Sequence, residues 1–371
     1  MNRFLAENPE YLTDQIVTYL GNKRALLDFI GTAVSLVCDE IGRDEIDMAD
    51  VFSGTGIVAR YFKKYARNLY VNDLEGYSET LNRCYLANKA EVDLQSLIGH
   101  FEALRRRLAE EPLKSGFITE LYSPDDDNEI RIGERVFYTA RNARYIDTAR
   151  QMLDDVPDPF RTFLLGPLLF EASVHNNTSG VFKGFYKNTK TGIGQFGGDA
   201  RNALGRIMAD IELRLPIFSN FSCNFTVFRE DAGKLAKHLP HVDLAYLDPP
   251  YNEHPYGSNY FMLNLINDYK RPDATSRVSG IPKNWNRSAY NYPTRTFAEF
   301  RSLCESLDAS FLLVSFNDEG FISRAEMSEM LRKIGTVRVL EKEYNTFKGC
   351  RNLGDRKIHV HEYLYLVKKN V

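Results

Sequence analysis

The sequence predicts an α/β fold in which a Rossmann-like, doubly wound sheet carries an inserted, mainly helical lobe. Strand and helix patterns alternate over residues 11–90, which is how such a sheet begins. Helix-like patterns then fill residues 91–221, and strand patterns return over residues 222–371. Both ends of the chain are therefore expected to build one sheet domain, and the lobe is expected to be a second unit.

Glycine, proline and aspartate mark the boundaries of the predicted elements. In the first part of the chain we predict a helix at 20–38, a strand at 45–52, a helix at 57–65, a strand at 68–72 and a helix at 79–89. The lobe is predicted to contain helices at 94–108, 140–153, 160–174 and 201–215. The later strands are predicted at 223–228, 242–247, 311–316, 337–341 and 360–367.

The composition indicates a globular protein of a reducing compartment. The five cysteines are odd in number and form no Cys-x-x-Cys pair, which argues against a disulfide framework and a zinc site. The seven histidines show no metal-ligand spacing, so no metal is expected. No apolar stretch is long enough to cross a bilayer and no secretory signal is present, so we expect a cytoplasmic protein without a membrane partner. A net charge of −3 leaves nucleic-acid binding to a local basic face.

The first candidate site is the glycine loop at residues 50–56, DVFSGTG, between a predicted strand and a predicted helix. Glycines such as Gly54 and Gly56 let the backbone approach a ligand closely, and the helix start offers free N–H groups. Asp73 ends the next strand, where a carboxylate can accept both ribose hydroxyls of a nucleoside cofactor. An ordinary tight turn and a capping aspartate are the structural alternatives, and no Gly-Lys-Ser/Thr of a P-loop follows.

The second candidate site is Asp248-Pro249-Pro250-Tyr251, which follows an apolar strand. The Asp248 carboxylate and the Pro249 carbonyl are acceptors suited to the two N–H groups of a planar amine. Neither Pro249 nor Pro250 has an N–H that would compete with that amine. The ring of Tyr251 offers a face on which a base can stack.

This tetrapeptide resembles the Asp-Pro-Pro-Tyr motif of the amino-methyltransferases, and the chain resembles the Dam-like alpha group of adenine-specific DNA methyltransferases. The supporting stretches follow the order of that group: YLGNKR at 19–24, DVFSGTG at 50–56, Asp73, DPPY at 248–251, SFNDEG at 315–320, YNTFKG at 344–349 and HEYL at 361–364. The resemblance covers most of 11–90 and 222–368, and VHNNTSG at 174–180 matches only loosely. Asn22 stands where many relatives have a second glycine.

The resemblance implies a methyl transfer from S-adenosyl-L-methionine to the N6 amino group of an adenine flipped out of double-stranded DNA. Carried over by position, it implies that the cofactor is bound by Tyr19, Lys23, Asp50, Phe52, Gly54, Gly56, Asp73, Asp231 and Asp248. Lys23 would lie near the methionine carboxylate and Asp50 near the methionine ammonium. Asp73 would hold the ribose, and Asp231 would lie near the adenine of the cofactor.

Two basic segments are candidates for DNA contact. One lies in the lobe and includes Lys183 and Lys187. The other follows the DPPY motif and combines cations with aromatic rings, as in Lys283, Arg287, Tyr290 and Arg295. Basic residues interleaved with aromatic ones can track phosphates and touch bases. A solvated surface loop is the alternative for each segment.

Three other functions remain open at this point. The same methyl transfer could act on N4 of cytosine or on adenine in structured RNA. The enzymes that act on cytosine N4 more often have serine at the position of Asp248. A catalytically silent DNA-binding module could keep the fold, and a nicotinamide oxidoreductase would need a third glycine in the loop. The family would place the chain in a prokaryotic cell or a phage, with or without a cognate restriction endonuclease.

Overall fold

A computed structural model describes residues 6–250, 253, 255–317, 320–345 and 359–370. Within them one seven-stranded sheet runs in the order β3-β2-β1-β4-β5-β7-β6. The strands are β1 (Ile46–Asp50), β2 (Ala66–Asp73), β3 (Asn224–Arg229), β4 (Val242–Leu247), β5 (Ala309–Asn317), β6 (Gly335–Asn345) and β7 (His359–Lys369). The β1–β2, β2–β3, β1–β4 and β4–β5 pairs are parallel, and β7 is antiparallel to both of its neighbours.

Strands β1 and β4 lie side by side at the centre, although the segments that follow them lead to opposite halves of the sheet. This is the topological switch point of a doubly wound sheet, where a crevice opens beyond the carboxyl ends of the strands. Asp50 ends β1 and Asp248 follows β4 directly. The predicted fold class is confirmed, and the switch point brings both candidate sites to one edge.

The helices cover both faces of the sheet and fill the insertion between β2 and β3. They are α1 (Leu27–Ile41), α2 (Ile57–Phe62), α3 (Gly76–Tyr85), α4 (Leu94–Glu110), α5 (Phe117–Tyr122), α6 (Ala140–Leu153), α7 (Phe160–Val174), α8 (Leu204–Met208), α9 (Ala232–Leu235), α10 (Tyr256–Asn259), α11 (Phe261–Asp268), α12 (Pro293–Ser306) and α13 (Arg324–Ile334). Short 3₁₀ turns occur at Arg24–Leu26, Lys89–Glu91 and Ala289–Asn291. No helix in the described part of the chain has the length and apolar content needed to cross a membrane.

The side chains of β4 explain why this strand is an unbroken apolar run. Leu244 and Tyr246 belong to one hydrophobic cluster, while Ala245 and Leu247 belong to another on the opposite face. A parallel strand buried on both faces needs apolar residues at every position rather than at alternate ones.

A third cluster joins the insertion to the rest of the protein. It contains Leu81 of α3, Ile146 of α6, Leu168 of α7 and Leu263 of α11, all essentially inaccessible to solvent. The lobe thus packs on helices from both flanking parts of the chain. The division at residues 91–221 remains a prediction.

Most predicted elements are present, with two clear differences. The helix expected at 20–38 begins at Leu27, after a left-handed Gly21 (φ 73°) and a 3₁₀ turn. The helix expected at 201–215 is wrong beyond Met208, because side chains from distant parts of the chain bind the backbone there. Helices α5, α9, α10, α11, α12 and α13 were not predicted.

Candidate active site

A cavity of about 900 Å³, counted to its opening, lies at the carboxyl ends of β1, β2 and β4. Its walls include most of the residues that the sequence assigned to a cofactor or to catalysis: Tyr19, Lys23, Asp50, Phe52, Gly54, Asp73, Asp231, Asp248 and Pro250. Pro249 is buried beside it, and Tyr251 is outside the described residues.

A buried group of charges fixes Asp248 at the end of β4. The Lys23 ammonium lies 3.2 Å from Asp248 Oδ1 and 2.9 Å from Glu362 Oε1 on β7. The Ser315 hydroxyl of β5 donates to the same Glu362 oxygen at 2.5 Å. Lys23 is 3% exposed and Glu362 is inaccessible, whereas Asp248 is 17% exposed. The accessible part of this group is therefore the Asp248 carboxyl.

Burial is the main cause that raises the pKa of Asp248, to about 7. Lys23 lowers this pKa and Glu362 raises it. The family resemblance implies that the Lys23 ammonium lies near the methionine carboxylate of the cofactor. In the structure this ammonium contacts two carboxylates of the protein itself, so Lys23 holds the position and charge of Asp248.

Asp50 is the second buried carboxyl of the cavity. It is 1% exposed, and neither of its oxygens has a hydrogen-bond partner among the described residues. Burial, with Asp248 and Asp73 nearby, raises its pKa well above the usual range, and the neighbouring backbone N–H groups of Phe52 and Ala59 offset this only in part. A buried carboxyl without a partner is costly unless a ligand supplies one. A primary ammonium such as that of methionine would satisfy it.

Asp73 shapes the glycine loop from the end of β2. Its Oδ2 accepts the Gly54 N–H at 2.8 Å, and its Oδ1 accepts the Glu75 N–H at 3.0 Å. Gly54 has a φ of 53°, and a Cβ there would lie 2.9 Å from the Tyr19 ring. At Gly56 (φ 82°) a Cβ would lie 2.4 Å from Asn82, so this residue supports the loop beneath the cavity. The loop can keep this shape only with glycine at both positions.

Aromatic rings form much of the remaining wall. The Tyr19 ring is stacked against both Tyr260, at 4.4 Å between ring centroids, and Tyr256, at 4.8 Å. Its hydroxyl lies 2.8 Å from that of Tyr77. The sequence indicated Tyr19 but not this stack. The signal was available in the Tyr256-x-x-x-Tyr260 spacing, which places both rings on one side of a helical turn.

Asp231 has a structural task as well as a place in the cavity wall. Its Oδ1 accepts the N–H of Gly233 at 3.0 Å and that of Lys234 at 3.3 Å, and so caps α9. The expected place beside a cofactor adenine remains a prediction.

The predicted DNA contacts divide into surface and interior residues. Lys183, Lys283, Arg287 and Arg295 are exposed, and Lys187 is half-buried with its ammonium 4.9 Å from the Phe185 ring centroid. Tyr290 is a correction: it is 3% exposed, lines the cavity and packs edge-on against Phe52 at 5.2 Å. A ring buried in this way cannot stack on DNA, so Tyr290 belongs to the wall of the cavity and not to the DNA-contact surface.

No group of three or more His, Cys, Asp or Glu side chains that could hold a metal ion occurs in the described ranges.

Comparison with known proteins gives a consistent set of similarities. The family model of the D12 class N6 adenine-specific DNA methyltransferases matches residues 19–330. The type II methyltransferase M.NlaIII of Neisseria lactamica is 30% identical over 361 residues, which cover 95% of this chain and 99% of that protein. M.CviAII of Paramecium bursaria Chlorella virus 1 is 28% identical over 95% of this chain and 98% of its own length. M.FokI of Planomicrobium okeanokoites is 28% identical over 95% of this chain but 53% of its own length.

Proposed function

Because this chain belongs to the D12 class N6 adenine-specific DNA methyltransferases and moves a methyl group from S-adenosylmethionine to N6 of adenine in DNA, we propose that Asp248 is its catalytic acceptor. The position of the Asp248 carboxyl is the observation that supports this catalytic role. The Asp248 carboxyl is the accessible end of a buried charged group, and it points into the same cavity as Asp50 and Asp73. Lys23 and Glu362 keep it in place without blocking that cavity.

The proposed role of Asp248 follows from the positive charge that develops on the adenine N6 during methyl transfer. Asp248 and the Pro249 carbonyl accept the two N–H groups of the adenine N6, and Tyr251 stacks on the base. N6 becomes more positive as its new bond to carbon forms, so a fixed carboxylate stabilises the transition state more than the ground state. The target base must leave the duplex to reach the cavity, at a cost of about a few kcal/mol.

The residues of the cavity fit S-adenosylmethionine. When bound, this cofactor supplies an electrophilic methyl group on a sulfonium. Asp50 would hold the methionine ammonium, since its two oxygens are buried without partners. Asp73 would hold the ribose hydroxyls, while Phe52, Tyr290 and Asp231 would surround the adenine.

We further propose that the protein is a site-specific, adenine-specific DNA methyltransferase. It would modify the sites that a cognate restriction endonuclease cuts. The support for this proposal is the naming of relatives that cover nearly all of this chain as type II methyltransferases. A relative of Streptococcus sanguinis, StsI, carries the name modification methylase.

The test is to incubate the protein with labelled S-adenosylmethionine and duplex DNA of varied sequence, and then to sequence for modified bases. We expect N6-methyladenine confined to one short sequence, and protection of that sequence from an endonuclease that cuts it. Label in cytosine, label only in structured RNA, or methylation of every adenine would overturn the proposal.

The rate of methylation should depend on pH through Asp248. Its pKa is raised to about 7, and only the ionised carboxylate accepts both an N–H and the growing positive charge. We therefore expect kcat/KM to rise from about pH 6 to about pH 8, because this parameter reports groups of the free enzyme. A flat profile over that range, with DNA still bound, would contradict the assignment.

DNA affinity should fall steeply with salt, through the exposed cations that follow the DPPY motif. Changing Lys283, Arg287 and Arg295 to glutamine should lower the slope of log affinity against log salt by about one for each phosphate that the protein no longer neutralises. Lys333→Gln on α13, an exposed lysine paired with Glu329, is the matched control and should leave the slope unchanged. An unaltered slope in the triple variant would exclude these residues from DNA contact.

A further inference from the structure

Residues 283–291 form a segment that separates the cofactor cavity from the surface, and we call it the bridging segment. On its inner side Asn286, Ser288, Tyr290 and Asn291 line the cavity. On its outer side Lys283 and Arg287 are exposed. One short stretch of chain therefore has a wall of the cofactor site on one side and candidate DNA-binding cations on the other.

A buried carboxyl holds the Asn286 part of this segment, while Tyr290 is anchored separately by packing on Phe52 and Phe300. Glu75 is 3% exposed, and its Oε2 accepts the amide N–H groups of Asn264 at 2.5 Å and Asn286 at 3.3 Å. The same Asn286 amide donates to the Leu74 carbonyl at 3.4 Å. Gly257 closes the contact, because a Cβ there would lie 2.5 Å from the Asn286 carbonyl oxygen.

Glu75 is also continuous with the cofactor loop. Its N–H donates to Asp73 Oδ1 at 3.0 Å, and Asp73 Oδ2 accepts from Gly54 at 2.8 Å. Asp73 therefore links the glycine loop to the backbone of Glu75, and the Glu75 side chain links to Asn286. A second path leads through Asn264, whose Oδ1 accepts the Tyr77 N–H at 3.3 Å.

We propose that Glu75 is a positioning residue that couples cofactor binding to DNA binding by fastening Asn286 of the bridging segment. This inference rests on the proposed function, because it takes DNA to contact the outer side of the segment. Each ligand touches one side of the same stretch, so the placement of the segment that one ligand favours also sets the contacts offered to the other. Coupling of this kind is reciprocal, and it typically amounts to about 5- to 150-fold in affinity.

The chain carries its own reporter for this coupling. Trp285 is the single tryptophan of the sequence, and it directly precedes Asn286. It is half-buried, and the Arg287 guanidinium lies 4.2 Å from its ring centroid. Its fluorescence therefore reports on the bridging segment alone.

The experiment uses the full chain, a methylatable duplex and S-adenosylhomocysteine, the demethylated product of the cofactor. DNA affinity is measured with and without S-adenosylhomocysteine, and Trp285 emission is followed as S-adenosylhomocysteine is added alone. In the unaltered protein we expect at least about fivefold tighter DNA binding with S-adenosylhomocysteine, and a change in emission. In Glu75→Ala, which removes the acceptor of Asn286, the affinity ratio should fall to within about twofold of one, with no emission change while calorimetry still shows S-adenosylhomocysteine bound.

Glu79→Ala is the matched control, because the Glu79 carboxylate lies one turn further along α3 and is paired with Arg83 rather than with Asn286. It should keep both the affinity ratio and the emission change. Should Glu75→Ala fail to fold, Gly257→Ala disturbs Asn286 from the other side and should abolish the coupling in the same way.

A merely structural role for Glu75 would lower both affinities and leave their ratio unchanged, and that result would overturn the coupling. A ratio of one in the unaltered protein would overturn it as well. In both cases the slope of log DNA affinity against log salt is measured with and without the Lys283 substitution. If that substitution still lowers the slope, the DNA-binding role of the bridging segment is retained. A slope independent of Lys283, Arg287 and Arg295 would instead show the proposed DNA contact to be at fault.

Discussion

Replacing Asp248 by asparagine is expected to slow methyl transfer by on the order of 10²- to 10³-fold, the usual effect of removing one fixed group that stabilises a transition-state charge. The amide keeps the shape of the carboxyl but has no charge, and it presents a donor where an acceptor is needed. Lys23 would keep its contact with Glu362 at 2.9 Å, so the fold should persist. The measurement is the single-turnover rate with DNA and cofactor both saturating.

Asp243→Asn is the control for this experiment. Asp243 lies at the opposite end of the same strand, where it accepts from Arg43 at 2.6 Å and from the Asp47 N–H at 2.8 Å. Its substitution should lower the stability of the fold without changing the single-turnover rate. A normal rate in Asp248→Asn, or an equal loss in both variants, would refute the catalytic assignment.

Replacing Asp50 by asparagine should have opposite effects on stability and on binding. The ligand-free protein should become more stable, because a buried carboxyl without a hydrogen-bond partner is replaced by a neutral side chain of the same shape. Affinity for S-adenosylmethionine should fall by roughly 10- to 100-fold, since a hydrogen bond between charged groups contributes about 1.5–3 kcal/mol. Thermal unfolding without ligand and calorimetry with it measure the two effects.

The gain in stability should depend on pH with a definite sign. The pKa of Asp50 lies near 3.8 in the unfolded chain and well above it in the fold, so its ionisation opposes folding. That penalty is absent below about pH 4 and grows as the pH rises, and the advantage of Asp50→Asn should grow with it. Asp47→Asn, at the other end of β1 and paired with Arg67, should instead lower stability and leave cofactor affinity unchanged. Equal stability of Asp50→Asn and the unaltered protein at pH 8 would contradict the account.

The sequence was most informative where local pattern and environment agree. The run VDLAYL is apolar at nearly every position and is followed by Asp248 and two prolines, and β4 has the predicted bounds. Helices α6 and α7 also have the predicted bounds: apolar residues recur at the helical period in α6, and α7 is a long run that is buried at every position from Phe163 to Leu169. The cofactor cavity followed from these strands, since the ends of adjacent parallel strands must meet at one edge.

Long-range contacts explain what local pattern could not predict. Beyond Met208 the backbone is bound by side chains from elsewhere: Asn142 accepts the Ile211 N–H at 2.9 Å, Tyr145 accepts that of Leu213 at 2.8 Å, and Gln15 accepts that of Ile217 at 3.1 Å. These partners satisfy polar groups that a helix would otherwise pair, so an irregular segment is stable there.

The active-site charges were predicted only in part. Lys23 and Asp248 were identified from their motifs, but Glu362 was recognised only as part of a strand. Its signal was a carboxyl within an otherwise apolar run, since such a group is rarely buried unless it is paired. Its partner could not be inferred, because Lys23 lies 339 residues away.

That separation has a consequence for engineering. Lys23 comes from the first part of the chain and Glu362 from the last, so a polypeptide cut within the exposed turn near Asp125 has Lys23 on one fragment and both Asp248 and Glu362 on the other. Neither fragment alone can fix Asp248, and methylation would return only when the two reassemble. If each fragment were fused to one of two other proteins, DNA methylation would therefore depend on contact between those two proteins and would report it.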